Sequence, residues 1–373
     1  KDKFDHMDPA KVIYTNVDGL ISYTALLFVP SKAPYNYYTK DYEKGLQLYS
    51  SGVLITDKCA DLLPDYFSFV KGLVDSQDLS LNISRETLQH DRQLKAIAKT
   101  LEKKIRSELL DMLKKDREAY LDFFRNFGLQ LKFAAYDKFG IDKDKVKDLL
   151  MFYSSEEKGL VTLEEYAGRM KEDQESIYYA SGGTIEQIDR LPLTEGLKDK
   201  GYEILYLTDD VDEFALQMMY EYNGKTFKSV QSDDVAVEET EEEKASTEKQ
   251  AEESREMLEA MQKALEGKVT EVKLSKRLKN HPVCLTSKGG LSIEMEKVLS
   301  QMPMDEEIQA EKVLEINVDH EIMGALEGAF ASGEGKLERY AGLLYEQARL
   351  IEGLPAEDPV AFSNSICELM IKQ

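Results

Sequence analysis

Arg85 and Gln89 are the residues whose placement first suggests chemistry. They follow a polar loop carrying Asp78, Ser80, Asn82 and Ser84, and they open a long run of helical period. Standing four apart, they share a face if both lie on the helix. Ser84 suits an N-cap, because its hydroxyl can accept a hydrogen bond from an orphan first-turn amide. Glu86 suits the positive end of the helix dipole, but a cation at Arg85 costs roughly a few tenths of a kcal/mol or more. From the residues alone two readings stay open: an exposed arginine paired to a nearby carboxylate, or an arginine kept there for another task.

Other chemistries leave no trace. There is no GxxxxGK[ST] and no GxGxxG after a strand to cradle a nucleotide, and no HExxH to hold zinc. Cys59, Cys284 and Cys367 are far apart, with no CxxC pair. His6, His90, His281 and His320 are equally scattered, so no metal site is expected. Neither a GxSxG elbow nor a triad is visible. Sparse cysteines fit a reducing, cytoplasmic setting. A net charge of −23 over 373 residues argues against nucleic acid and against anionic membrane surfaces. No apolar run approaches the roughly 18 residues that span a bilayer, and the opening KDKFDHMDPAKV lacks the apolar core of a signal peptide.

A chain this long exceeds one ordinary core. Residues 1–115 read as strands followed by helices, a layered α/β domain. GLISYTALLFVP and KGLQLYSSGVLITDK are strand text, DLLPDYFSFVKGLV carries a helical stripe, and Leu88 to Leu113 keeps an apolar stripe of period 3.6. Residues 116–165 read as a helical connector interrupted at Gly128. Residues 166–232 read as a second, small α/β part with a parallel strand–helix–strand pair. Residues 233–256 hold 11 acids against 3 bases, the pattern of a solvated linker or exposed helix start. Residues 257–373 read as an α+β domain ending in two helices whose apolar faces have little chain left to cover them, which suggests dimerisation.

DSQDLSLNISRETLQ closely resembles the middle-domain catalytic loop of the heat-shock-protein-90 chaperone family, and the likeness spreads over nearly the whole chain. PSKAP, GLQLY, ITD and LLPDYFSFVKGLVDS match the large part of that middle domain, and YAGLLYEQARLIEGLPAEDPVAFSNSICELM resembles the C-terminal dimerisation helices. The ending LMIKQ, without an acidic MEEVD-like tail, resembles the bacterial HtpG type.

The resemblance implies an ATP-dependent chaperone, active in heat shock and stress, that binds partly folded clients as a C-terminal homodimer. It implies that Arg85 reaches the γ-phosphate of ATP held with Mg2+ by a preceding domain, as an arginine finger does, and that Gln89 assists. No segment here matches that ATP-binding domain. The chain is therefore read as the middle plus C-terminal portion of the protein, with no bound cofactor and no ATP hydrolysis of its own. The resemblance also places a client surface at Phe214, flanked by Glu213 and Gln217, and on the amphipathic segment bearing Leu291, Met295, Val298 and Leu299. Methionine is adaptable enough for such a surface, although core packing explains the same apolar residues. The rival readings are a transducer-like module of a related ATPase, which would want a basic surface for DNA, and a non-catalytic acidic scaffold dimer.

Overall fold

The computed structural model describes residues 8–79, 92–235, 241–303, 308–333 and 335–371, so Arg85 and Gln89 lie outside the described residues. The chain divides into two compact units. The first is Lys1–Met151 with Thr162–Glu164 and Ala215–Met219; the second is Phe152–Val161, Glu165–Phe214 and Tyr220–Gln373. The fold is mixed α and β throughout, as the sequence predicts.

The first unit is built on a five-stranded sheet. Its strands are β1 (Lys11–Val17), β2 (Tyr23–Val29), β3 (Leu46–Ser50), β4 (Val53–Cys59) and β5 (Lys71–Ser76), in the order β1-β2-β5-β3-β4. Along β2, Tyr23, Ala25, Leu27 and Val29 are buried and the residues between them are half-buried, the period-two signature of a strand with one core face. Two helices accompany the sheet. In α1 (Arg92–Lys115), Leu94, Ile97, Leu101, Ile105, Leu109 and Met112 are buried at helical spacing. In α2 (Arg117–Gly140), Asp116 caps the start by accepting from Ala119 N at 3.2 Å. Phe69 stacks on Phe127 with centroids 4.7 Å apart and meets Phe123 edge-on at 5.2 Å, joining the lead-in to β5 to α2.

Three local expectations are corrected here. The stripe in DLLPDYFSFVKGLV is not one helix: it forms short 3-10 turns at Ala60–Leu62 and Asp65–Phe67 and then enters β5. Pro64 lacks the amide that a continuous helix needs. Gly72 has φ +138, and a Cβ there would come 2.2 Å from the Leu26 carbonyl oxygen, so this residue passes close along β2 as only glycine can. Gly128 does not interrupt α2. It is buried in mid-helix, where a Cβ would lie 2.7 Å from the Phe124 ring, and the backbone leaves helical angles at the far end, from Asp137 to Gly140. Helix also gives way earlier than the connector reading expects. After α3 (Lys143–Val146) the chain forms β6 (Met151–Ser154) and β7 (Leu160–Thr162), whose short apolar runs suit buried strands.

The second unit holds two sheets. One has the order β10-β11-β8-β9-β6-β7. Its parallel pair β8 (Ser176–Ser181) and β9 (Ile204–Leu207) is joined through α5 (Ile185–Asp189) and α6 (Pro192–Asp199), with Pro192 at the permitted first turn. α4 (Leu163–Arg169) precedes β8. α7 (Asp212–Met219) leads into the hairpin β10 (Glu221–Tyr222) and β11 (Lys225–Ser229). The other sheet is β12 (Glu271–Ser275), β14 (Glu311–Asn317) and β13 (Val283–Lys288), in the order β12-β14-β13. Around it stand α8 (Glu241–Glu253), α9 (Arg255–Ala264), α10 (Ile293–Ser300), α11 (Ile322–Ser332), α12 (Lys336–Ile351) and α13 (Pro359–Ile371).

Backbone bonds knit the two sheets. Ser287 N donates to Gln231 O and Asp233 N to Ser287 O, each at 3.0 Å. Arg277 supports this seam by donating to the carbonyl oxygens of Val230 and Ser232 and to the buried carboxylate of Glu315 at 3.2 Å. Glu315 also accepts from Thr286 Oγ1 at 2.9 Å. A buried carboxylate given both a cation and a hydroxyl avoids the large cost of an unpaired buried charge.

Candidate functional site

The stretch bearing Arg85 and Gln89 is fastened at both of its described ends. On the N-terminal side, Asp78 Oδ2 accepts from Ser22 N at 2.6 Å, and the carbonyl oxygen of Leu79 accepts from the buried Ser50 hydroxyl at 2.6 Å. On the C-terminal side the chain enters α1, and the buried Leu94 and Ile97 dock its first turns. These fixtures hold the two ends on the sheet and on a long helix, the kind of rigid support that a positioned side chain requires.

The second candidate region is a cleft in the second unit, where residues far apart in sequence meet. Phe214 from α7 and Met295 and Val298 from α10 line it, with Ser181 and Gly182 after β8 and Leu207 to Asp210 after β9. Glu213 reaches it as well, whereas Gln217, Leu291 and Leu299, all half-buried, are not among its lining residues. The open space is about 10 Å³, room for about one water, so anything larger requires Phe214 and Met295 to part. Asp209, Asp210 and Glu294 give the cleft an acidic rim.

Glu213 is an inward support rather than part of the outer face. It is 4% exposed and accepts from Ser292 Oγ at 2.7 Å, Ser181 Oγ at 3.2 Å and Tyr179 Oη at 3.3 Å. Burial pushes its carboxyl up from the ordinary value, the three hydroxyls pull it partly back, and Glu294 nearby pushes it up. Ser292 has a second role as the N-cap of α10, accepting from Met295 N at 3.0 Å. One hydroxyl thus ties α7 to the first turn of the helix that presents Met295 and Val298.

The same network runs on behind the cleft. Ser181 N donates to Gln231 Oε1 at 2.8 Å, and Gln231 Nε2 donates to Glu352 Oε2 at 2.8 Å. Glu352 ends α12 and is buried. Its Oε1 has no hydrogen-bond partner among the described residues, and burial raises its carboxyl to about 7. Sequence reasoning missed Ser181, Gln231, Ser292 and Glu352. Only Ser292 left a local signal, a capping serine just ahead of an apolar helical run. The others act through partners as distant as 121 residues along the chain.

Among the described residues no group of three or more His, Cys, Asp or Glu is placed to hold a metal ion. No described helix is long and apolar enough to cross a membrane.

Comparison with known proteins fits this arrangement. The family model described as Hsp90 protein matches residues 2–373. The chain is 58% identical over 367 residues to the chaperone protein HtpG of Clostridium acetobutylicum, covering 98% of this chain and 58% of that protein. It is 57% identical over 363 residues to the HtpG of Oceanobacillus iheyensis and 56% identical over 363 residues to that of Bacillus subtilis, in both cases covering 97% of this chain and 58% of the relative. The chain therefore spans under two thirds of the length of these relatives, and over that span it is a member of the Hsp90 family.

Proposed function

We propose that this chain forms the client-handling, dimerising and arginine-donating part of an ATP-driven cytoplasmic chaperone. The observation that carries the reading is the cleft joining Phe214 to Met295 and Val298. Segments about eighty residues apart place an aromatic, an adaptable methionine and a valine together, in a family whose relatives are named chaperones. Phe214 is half-buried while Met295 and Val298 are buried, and the hydrogen bond from Ser292 to Glu213 ties the two segments together. Gln217, Leu291 and Leu299 extend the proposed client surface outside the cleft.

Dimerisation is proposed through α12 and α13. α13 has no buried residue, and Val360, Leu369, Met370 and Ile371 are 70%, 40%, 71% and 80% exposed. A matching hairpin from a second copy would cover that apolar surface. Arg85, with Gln89 beside it, would meet the γ-phosphate of ATP and Mg2+ bound by a nucleotide domain not contained in this chain. A permanently charged planar fork suits that role, and lysine would substitute poorly.

The test is suppression of aggregation of a chemically unfolded protein by the chain. Phe214→Ala should remove most of the protection while circular dichroism and melting stay close to the parent. Full protection by that variant would sink the cleft as the client site.

A further inference from the structure

The second unit holds another recess, with an apolar floor and a polar rim, formed by residues 250–257 of α8 and α9 and by residues 318–330, which include α11. Met257, Val318 and Met323 make its buried floor, and Phe330, 40% exposed, stands at its lip. Its volume is about 420 Å³, enough for a few side chains. The polar lining is one-sided. Glu252, Glu253, Glu256 and Glu327 line it, and no lysine, arginine or histidine does among the described residues. The neighbouring cations are exposed: Lys249 approaches Glu253 only to 3.8 Å, and Arg255 pairs with Glu259 at 3.0 Å and approaches Glu252 only to 3.9 Å.

Apolar floor and acidic rim together narrow the occupant. A purely apolar segment would desolvate the carboxylates without compensation. An acidic segment, a nucleic acid or an anionic lipid surface would be repelled. A second copy would bring its own charge of −23. Lysine or arginine beside leucine-like residues satisfies both halves, because the long aliphatic stem covers apolar surface while its charged head stays at the rim. The two methionines can repack around different side chains. We infer that this recess binds basic amphipathic segments of partly folded polypeptides, a client contact separate from the Phe214 cleft. The inference rests on the chaperone reading for the source of the segment.

The test is fluorescence anisotropy on the whole chain with a labelled synthetic peptide that spaces leucines for one helical face and fills the other positions with lysine and arginine. A control peptide keeps the leucines and replaces every cation by glutamate. The basic peptide should bind and weaken with added salt, and the acidic control should not bind. Glu256→Lys combined with Glu327→Lys should raise Kd by about ten-fold or more, and Phe330→Ala by about three-fold or more. These positions are exposed, so melting should stay near that of the parent. The milder pair Glu256→Gln and Glu327→Gln should fall between. Equal binding of the acidic peptide, or charge-reversal Kd values within about two-fold of the parent, would overturn the proposal. So would a change in solution mass on charge reversal, which would assign the recess to a second copy. If recess variants bind like the parent while client protection persists, the recess proposal alone fails; if the peptide binds at the recess but the chain protects no client, the chaperone reading fails instead.

Discussion

Two helices of this chain meet opposite fates. α1 buries six apolar residues along one face and leaves its charged face to solvent. α13, PVAFSNSICELMI, carries only one charged side chain yet buries none of its residues. Arg339 of α12 pairs with Glu368 at 2.8 Å and donates to the carbonyl oxygen of Ser365 at 3.1 Å. A helix covered by its own domain has its apolar face satisfied. A helix that apolar and that bare is the surface through which we propose that two copies meet.

Matched truncations test the contrast. Leu101→Ala in α1 removes a fully buried side chain and should cost about 2–5 kcal/mol in chemical denaturation. Leu369→Ala in α13 should change that quantity by under about 0.5 kcal/mol when measured on a dilute monomer, while weakening self-association in sedimentation. Equal stability losses at both sites would break the comparison.

Next in size is Glu352 at the base of α12. Its carboxyl, raised to about 7, holds its proton more tightly in the fold than in the unfolded chain. The folded state therefore binds more protons between the ordinary glutamate range and pH 7, so stability falls as pH rises through that window and levels off above it. Glu352→Gln should remove this slope and gain about 1–3 kcal/mol at pH 8. Melting scans at several pH values would show it, and an unchanged slope would remove Glu352 as the cause. The smallest expected effect is Asp116→Ala at the start of α2, a lost cap costing about 1 kcal/mol. It should lower the melting temperature without changing solution mass.

Much of this was legible because local rules govern it. The α1 stripe, the parallel β8–β9 pair and the two terminal helices follow from periodicity and turn residues. The 61–74 stretch was not legible, because β5 lies in the middle of its sheet and its lead-in is buried, so apolar spacing alone does not separate helix from strand there. Pro64 was the warning. Gly128 misled in the other direction, since its small size serves packing against Phe124 rather than a break. Phe214, Met295 and Val298 were named through the family resemblance, with core packing as the alternative, and the inward turn of Glu213 depends on Ser181, Tyr179 and Ser292, which no local pattern connects. The acidic recess was invisible because its floor and rim come from two helical segments separated in sequence.

Our proposal that Arg85 serves the nucleotide site of a separate domain is open to a direct test. The direct measurement is ATP turnover when the chain is mixed with the isolated nucleotide-binding domain of a close relative, with Arg85→Ala and Arg85→Lys beside the parent. The account predicts that the parent raises turnover above that of the isolated domain, that alanine abolishes the rise and that lysine restores little of it. Stimulation by the alanine variant equal to the parent's would contradict it.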